Sequence, residues 1–347
     1  MRDPVNKLKS RSLKVLEAVI CGYLATGRPV GSRTVVRHFN LGCSPATVRN
    51  EMADLAEMGY LKKAHISSGR IPTDVGIRFY LDYLMMEDQL APEELERFRN
   101  SYHVVDEDFK GMVRGVGRVL ADLTHQAVAV MTPGLRCLPL RHVEFTRLTS
   151  KRVMALLISE WGRFQTRVFE WGEDLKHRDL IWASNYLNDR FQGKTLRQIR
   201  EIIIEDIQEK QAEYDKMLGR ALGLMETVLQ QDQLDEEVFI EGRENLVDKP
   251  EFAQSNKMAR LLKVLEEKNF VVGLLSQALD DSDPLVLLST ETGMEDVPEI
   301  AVILARYKTG GQGDGTVGII GPMRMNYSRV IPMVRYTARY VSDLLGS

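Results

Sequence analysis

Three side chains that can hydrogen-bond to DNA bases lie close together in the sequence: Thr47, Arg49 and Asn50. Arginine can donate two hydrogen bonds to the edge of guanine, asparagine can pair in the same bidentate way with adenine, and threonine can bond to either. Ala46 and Ala53 are small enough to let the backbone approach a groove. The segment therefore indicates direct contact with base pairs. The alternative is an ordinary solvated helix in which these side chains have no such role.

These residues are predicted to lie on a helix with a defined start. Ser44 is a favourable N-cap, and Pro45 is tolerated at the first helical position because its missing N–H needs no partner there. At about 100° per residue, one side of this helix is polar or small and the other is apolar. The apolar side consists of Val48, Met52 and Leu55.

A basic hairpin is predicted directly after this helix. Residues 60–64 and 71–73 have the composition of short strands, and Gly69 permits a turn between them. Hydrogen-bond donors along such a hairpin suit DNA phosphates or the minor groove. Together with the helix cap, the residues expected to contact the DNA backbone are Ser44, Lys62, Lys63, His65, Ser67 and Arg70.

Two further helices are predicted upstream. The first has an apolar stripe and ends near Gly27, which fits a C-cap, and the second is expected to be capped by Ser32 and to run from Arg33 to about Phe39. Three helices with a short glycine-containing turn before the third, followed by a hairpin, form a winged helix-turn-helix. One such module covers a single half-site, so we expect a symmetric homodimer on an inverted repeat in double-stranded DNA.

The charge distribution favours the same function. The whole chain has 46 basic and 49 acidic residues, a net charge of −3. Residues 1–80 contain 13 basic and 6 acidic residues, whereas the remainder contains 33 and 43. A positive segment in a nearly neutral chain is typical of a localised nucleic-acid interface. A mildly basic helical domain that binds an acidic protein is the alternative.

The rest of the chain is long enough for one or two more domains and has a mixed pattern. Strand-like alternation precedes a charged helical block at about residues 174–233, and strand-like segments resume after it, so we expect an α+β domain interrupted by helices. The segments predicted as strands are 127–131, 142–148, 152–159, 163–171, 238–240, 271–275, 285–288, 300–307 and 316–320.

Two apolar stripes in the helical block are the best candidates for a dimer surface, although they could instead close a local helical bundle. One stripe contains Leu196, Ile199, Ile203 and Ile207, and the other contains Met217, Ala221, Leu224 and Val228.

Several classes of protein are disfavoured. No apolar run approaches the roughly 20 residues of a membrane helix, so we expect no membrane contact and a cytoplasmic location. Cys21, Cys43 and Cys137 lack the spacing of a zinc site or a disulfide framework. The histidines and carboxylates form no metal-ligand pattern or catalytic constellation, so we expect no metal, no cofactor and no enzyme activity. The GxGxxG match from Gly313 to Gly318 enters an apolar strand instead of opening a helix, which disfavours dinucleotide binding.

The sequence resembles the HrcA family of heat-inducible repressors of bacterial chaperone operons. The resemblance rests on blocks near the start, middle and end of the chain, so it covers nearly the full length. Ala64 and Ile66 replace a usual wing proline and threonine, and Pro45 replaces a usual serine. The matching blocks are residues 27–33, 44–52, 59–61, 65–74, 78–80, Gly242, 245–246, 250–252 and 318–327.

The resemblance implies a multidomain α+β fold. The expected units are a winged helix-turn-helix at 1–75, linker helices at 76–123, a GAF-like α+β domain at 124–173 and 238–347, and an inserted, mainly helical dimerisation element at 174–237. Periodicity alone indicates only the interruption.

The resemblance also implies repression of heat-shock genes, release on heat stress, and a chaperonin partner that keeps the repressor active. A regulator controlled by a small-molecule effector bound in the GAF-like domain is the alternative. For Arg324, in the last matching block, we expect a structural hydrogen-bond network more than a partner or sensing surface.

Overall fold

The computed structural model describes residues 8–64, 69–100, 109–134, 139–160, 162, 164–173, 175–209, 216–230, 236–247, 249–252, 255–279, 283–294, 297, 299–309 and 314–345. Within these residues, no helix is both long enough and apolar enough to cross a membrane. The same residues contain no group of three or more histidine, cysteine or acidic side chains that could hold a metal ion.

The N-terminal unit consists of three helices and a two-stranded antiparallel hairpin. The helices are α1 (Ser10–Thr26), α2 (Ser32–His38) and α3 (Pro45–Glu57), and the strands are β1 (Leu61–Lys63) and β2 (Arg70–Pro72). Helix α1 ends at Gly27 in the left-handed conformation, with φ of 65°, as predicted for a C-cap. The apolar stripes of α1 and α3 pack together in one buried core. Cys21 and Cys43 pack partly buried against this core, as small apolar side chains do.

A bent helical segment joins this unit to the next one. Helix α4 (Asp74–Phe79) continues into a single π-helical turn (Tyr80–Leu84), and α5 (Pro92–Asn100) and α6 (Phe109–Thr124) follow. Ile77 is buried in the core of the following unit, whereas Phe79 and Tyr80 are buried in the core of the N-terminal unit. The segment from Asp74 to Leu84 is therefore shared between two cores instead of spanning them as a solvated linker.

The central unit is built on a five-stranded antiparallel sheet with the strand order β7-β3-β10-β9-β8. Alternate residues of each strand pack against helices on opposite faces of the sheet. Helices α6 and α13 (Tyr327–Leu345) cover one face, and α11 (Ser255–Glu266) and α12 (Lys268–Ser276) cover the other. Helix α6, expected in a linker at 76–123, is thus part of this unit. The strands are β3 (Ala127–Met131), β7 (Val238–Glu241), β8 (Leu285–Leu288), β9 (Ile300–Lys308) and β10 (Asp314–Pro322).

A third unit separates β3 from β7. It contains a three-stranded antiparallel sheet of β4 (Leu140–Arg147), β5 (Arg152–Ser159) and β6 (Phe164–Glu170). Helices α7 (His177–Phe191), α8 (Leu196–Glu209) and α9 (Lys216–Gln230) share a buried core with this sheet. The boundary expected at residue 174 therefore falls inside the unit, because β4 to β6 pair with each other and not with β3. The short helix α10 (Glu244–Val247) follows β7.

The segment 271–275 is helical, so its prediction as a strand was wrong. It forms the middle of α12, where Val271, Leu274 and Leu275 are buried at helical spacing against the central sheet. A short apolar run fits both a buried strand and a buried helix, and here packing against one face of the sheet selects the helix.

Polar contacts also join the N-terminal and central units. Arg78 on α4 donates a hydrogen bond of 2.6 Å to the carbonyl oxygen of Val286 and pairs with the carboxylate of Glu291. The guanidinium Nε of Arg324 lies 2.5 Å from Glu251 Oε1. A Cβ at Gly27 would lie only 2.9 Å from this Nε, so the end of α1 approaches Arg324 closely. The ion pair of Arg324 with Glu251 is a structural contact of the kind expected at this position.

Helix α13 contains a proline whose missing donor is compensated by the connection after the π-helical turn. Pro332 has no N–H to offer the carbonyl of Ser328, its i−4 neighbour. The backbone N–H of Asp88 donates to that carbonyl over 2.9 Å instead. The hydroxyl of Ser328 donates in turn to Asp88 Oδ2, also over 2.9 Å.

Candidate nucleic-acid interface

Helix α3 has the cap that the sequence predicts. The hydroxyl Oγ of Ser44 accepts a hydrogen bond of 3.2 Å from the backbone N–H of Thr47, and the two hydroxyls lie 3.0 Å apart. Ser44 therefore has a structural role in starting the helix. Arg49 and Asn50 are exposed, Thr47 is half-buried, and the apolar residues Val48, Met52 and Leu55 are buried, so the polar face points away from the core.

A buried carboxylate fixes α3 to α1. Glu51 Oε1 accepts from Arg11 Nε and Glu51 Oε2 accepts from the hydroxyl of Ser12, each over 2.7 Å. The hydrogen bond from Ser12 and the nearby Arg11 charge outweigh desolvation and lower the pKa of Glu51 from its ordinary value. Sequence reasoning missed this residue, because a glutamate beside an apolar stripe looks like any solvated helix residue.

The hairpin is held against the start of α2. Backbone N–H groups of Val30 and Arg70 donate to each other's carbonyl oxygens over 2.9 Å. A Cβ at Gly69 would lie 2.8 Å from Pro29 Cβ, so only glycine allows this close approach of the two segments. The other predicted contact residues His65 and Ser67 lie outside the described residues.

Basic side chains from the hairpin, α2 and α3 surround one cleft. The cleft has a volume of about 570 Å³, and its basic lining residues are Arg33, Arg49, Lys63 and Arg70. The remaining lining residues that the structure describes are Gly31, Ser32 and Met52, and none of these carries a carboxylate. Three of the predicted DNA contacts thus lie around one cavity. Thr47, Asn50 and Lys62 lie outside it, on the same N-terminal unit.

Arg33 is the cleft residue that sequence reasoning missed. It is exposed in the first turn of α2, two residues after Gly31. Its position on a different helix from Arg49 conceals the relation, because long-range pairing of Val30 with Arg70 brings the start of α2 to the hairpin. A basic residue at the start of the second predicted helix was the available signal.

The chain is similar to known proteins of one family. The family model described as "HrcA protein C terminal domain" matches residues 110–331. The heat-inducible transcription repressor HrcA of Geobacter sulfurreducens is 39% identical over 338 residues, which cover 97% of this chain and 98% of that protein. The heat-inducible transcription repressor HrcA of Syntrophobacter fumaroxidans is 38% identical over 342 residues, 98% of each chain.

One solved structure has a similar fold over nearly the full length. It is described as a hypothetical protein at 2.2 Å resolution, and it aligns with a TM-score of 0.61 and 24% identity. The alignment covers 99% of each chain. At this identity the likeness concerns the fold alone, which is multidomain and mixed α and β.

Proposed function

The chain belongs to the HrcA family of heat-inducible transcription repressors, and from this premise we propose that it represses heat-shock genes by binding an inverted-repeat operator in double-stranded DNA. The N-terminal unit is then a winged helix-turn-helix, with α3 as the recognition helix and β1–β2 as the wing. The central unit is the GAF-like domain that the family resemblance implies. The observation that carries the proposal is the exposed polar face of α3 beside a cleft whose described lining has four basic side chains and no carboxylate.

Each element has a role in this proposal. Thr47, Arg49 and Asn50 contact base edges in the major groove, because they occupy the outward face of the first two turns of α3. Lys62, Lys63 and Arg70 bind the sugar-phosphate backbone from the hairpin. The pairing of Glu51 with Arg11 and Ser12 holds α3 in a fixed position on α1, so that its polar face can enter the groove as a rigid surface.

The test is binding of the full-length chain to genomic fragments by gel-shift, followed by titration of the shortest bound duplex. We expect binding to an inverted repeat upstream of chaperone genes that resists competition by unrelated duplex. If Arg49→Ala and Asn50→Ala both leave operator affinity unchanged, the proposed orientation of α3 is wrong.

We further propose that the repressor is a homodimer. Most of the apolar stripes expected to form the dimer surface are buried within one chain. Leu196, Ile199, Ile203, Ala221, Leu224 and Val228 belong to the core of the third unit. Met217 is half-buried, and the side chain of Ile207 lies outside the described residues. This burial fits the alternative expectation, in which the stripes close a local helical bundle and do not form a dimer surface. Another apolar surface remains, on the face of the three-stranded sheet opposite to α7.

This face is lined by half-buried Met154, Leu156 and Ile158 of β5, whose alternate neighbours are buried under α7. Phe164 and Val168 of the edge strand β6 lie opposite Ile158 and Met154 and are 73% and 41% exposed. Contiguous exposed apolar side chains mark interaction surfaces, and a two-fold axis would place this face against its own copy. We therefore assign the dimer contact to this face.

Sedimentation of the full-length chain tests the dimer. The double substitution Phe164→Ser with Val168→Ser is expected to raise the dimer dissociation constant about tenfold or more, because two apolar side chains lose their burial. Val247→Ser is the matched control, since this valine is 58% exposed on α10. Wild-type chain that sediments as a monomer at micromolar concentration, with or without operator, contradicts the proposal.

Regulation by chaperonin is the third part of the proposal, and the topology of the central sheet supports it. Val128 on β3 lies opposite Glu241 on one side and Ile319 on the other. Pairing over such sequence separations is slow and leaves strand edges and apolar faces exposed during folding. Heat diverts chaperonin to other clients, the repressor then loses its folding assistance, and the operon is transcribed.

The deciding measurement is the recovery of operator binding after dilution from denaturant, with and without chaperonin and ATP. We expect higher recovery with chaperonin, and a larger difference at heat-shock temperature. Equal recovery in both reactions at both temperatures contradicts chaperonin control while leaving DNA binding itself intact.

A further inference from the structure

We propose that the cleft between the start of α2, helix α3 and the hairpin binds one phosphate group of the DNA backbone, with Arg33 as a contact residue. The proposal rests on the DNA-binding function proposed above, and it adds a defined phosphate site and a contact from α2. A phosphodiester in this position would flank the groove that α3 enters.

The cleft carries positive charge that the described residues do not compensate. Arg33, Arg49, Lys63 and Arg70 come from four different elements and converge on one cavity of about 570 Å³. Within the part of the chain that the structure describes, none of the four forms an ion pair. Several unpaired cations in a cleft produce a positive potential that attracts an anion.

The register of the hairpin also favours an anion in the cleft. Lys63 and Arg70 lie directly opposite each other on β1 and β2. Like charges at directly opposed positions destabilise a strand pair. An anion bound between the two side chains would reduce this repulsion, so the register of the hairpin favours an occupied cleft.

Arg70 also has an unsatisfied hydrogen-bond donor. The Nε atom of Arg70 is buried and has no hydrogen-bond partner among the described residues. A buried donor without a partner costs free energy, and a phosphate oxygen in the cleft would accept from it. Arginine suits this role because its planar guanidinium can donate two parallel bonds to a phosphate.

The position of the cleft favours a DNA phosphate over a free anion as its ligand. Arg49 borders the cleft and is also a proposed base contact on α3, so the cleft adjoins the surface that would face the major groove. Phosphates of the strand that borders this groove lie beside any helix that enters it. A DNA phosphate therefore fits the site better than a free anion.

The test combines a protein substitution with a neutral DNA backbone. Phosphates of the operator are replaced one at a time by methylphosphonate, and binding is measured for wild type, Arg33→Ala and Arg37→Ala. Arg37 is the matched control because it is exposed one turn further along α2 and does not line the cleft. We expect one phosphate per half-site whose neutralisation weakens Arg33→Ala clearly less than it weakens wild type and Arg37→Ala, because Arg33 is one of four basic side chains around the cleft.

Arg33→Ala should also weaken operator and unrelated duplex by the same factor and reduce the salt dependence of log K by about one unit. Additive losses from Arg33→Ala and every methylphosphonate would overturn the proposal. A second arm measures the melting temperature in inorganic phosphate against chloride at equal ionic strength. Stabilisation by phosphate that is lost in Arg33→Ala, without any coupling to DNA phosphates, would assign the cleft to a free anion and overturn the DNA source.

These measurements distinguish a failure of the proposed DNA-binding function from a failure of the proposed phosphate site. If wild-type chain binds no DNA, the proposed function fails whether or not the cleft binds inorganic phosphate. If wild type binds its operator with normal specificity but shows no methylphosphonate coupling at Arg33, the phosphate site alone fails.

Discussion

Asn50 and Lys62 are both exposed on the N-terminal unit, yet they are expected to act on DNA differently. Asn50→Ala should cost about 1–3 kcal/mol on the operator and relax specificity at one base pair. Lys62→Ala should weaken all sequences alike and reduce the salt dependence of log K by about one unit. Titrations of operator and scrambled duplex over a range of salt concentrations measure both quantities. A uniform loss in Asn50→Ala would remove this residue from base recognition.

Glu51 should make the N-terminal unit sensitive to acid. Its folded-state pKa lies below the ordinary value, so its contribution to stability is complete above the unfolded pKa of about 4.3 and is lost as pH falls through the lower folded pKa. Glu51→Gln should therefore lower stability at neutral pH by about 1.5–3 kcal/mol, the value of hydrogen bonds to a charged group, with a difference that shrinks in acid. Thermal unfolding of both chains from pH 3 to pH 7 tests this. A difference that is constant over this range would contradict it.

Local chemistry accounts for what could be predicted at these positions. The Ser44 cap and the outward face of α3 follow from neighbouring residues, so the sequence indicates them directly. Arg33 and Glu51 act through partners about 40 residues away, at Arg70, Ser12 and Arg11. Such pairings depend on how the helices pack, which local sequence does not determine.

Helix α4 should not tolerate even one added methyl group at Gly76. A Cβ at Gly76 would lie 2.2 Å from the carbonyl oxygen of Tyr60, a backbone atom that cannot rotate away. Gly76→Ala is therefore expected to destabilise by about 1–3 kcal/mol. Gly219→Ala on α9 is the control, because its Cβ would meet no atom within 4 Å and alanine favours a helix. Urea unfolding of the two variants should shift in opposite directions, and equal shifts would contradict the argument.

The pairing of strands was harder to predict than their existence. Alternation located β4, β5 and β6 within a few residues, but it could not indicate that they form a sheet of their own. Sheet membership depends on hydrogen bonds between distant segments. The same limit applies to the apolar stripes of α8 and α9, since periodicity indicates a buried face without indicating what buries it.

At the scale of the whole molecule, Arg78 should hold the N-terminal unit on the central unit. Arg78→Ala removes the bonds to Val286 and Glu291 and is expected to cost about 1.5–3 kcal/mol. Arg118→Ala is the control, because Arg118 forms an exposed ion pair with Glu241 within the central unit, and such pairs contribute about 1 kcal/mol or less. Limited proteolysis near residues 85–91 should be faster in Arg78→Ala only. Equal cleavage of both variants would remove Arg78 from the contact between the units.

The proline in α13 gives the molecule a means of discriminating between correct and incorrect assembly. Because Pro332 cannot donate to Ser328, the helix lacks one internal bond until Asp88 arrives from the N-terminal side of the chain. A chain whose N-terminal unit docks elsewhere leaves the carbonyl of the half-buried Ser328 without this bond. A regular helix would bind its own carbonyl and would be equally stable with either arrangement. The interrupted helix thus makes the stability of the C-terminus depend on where the DNA-binding surface is held.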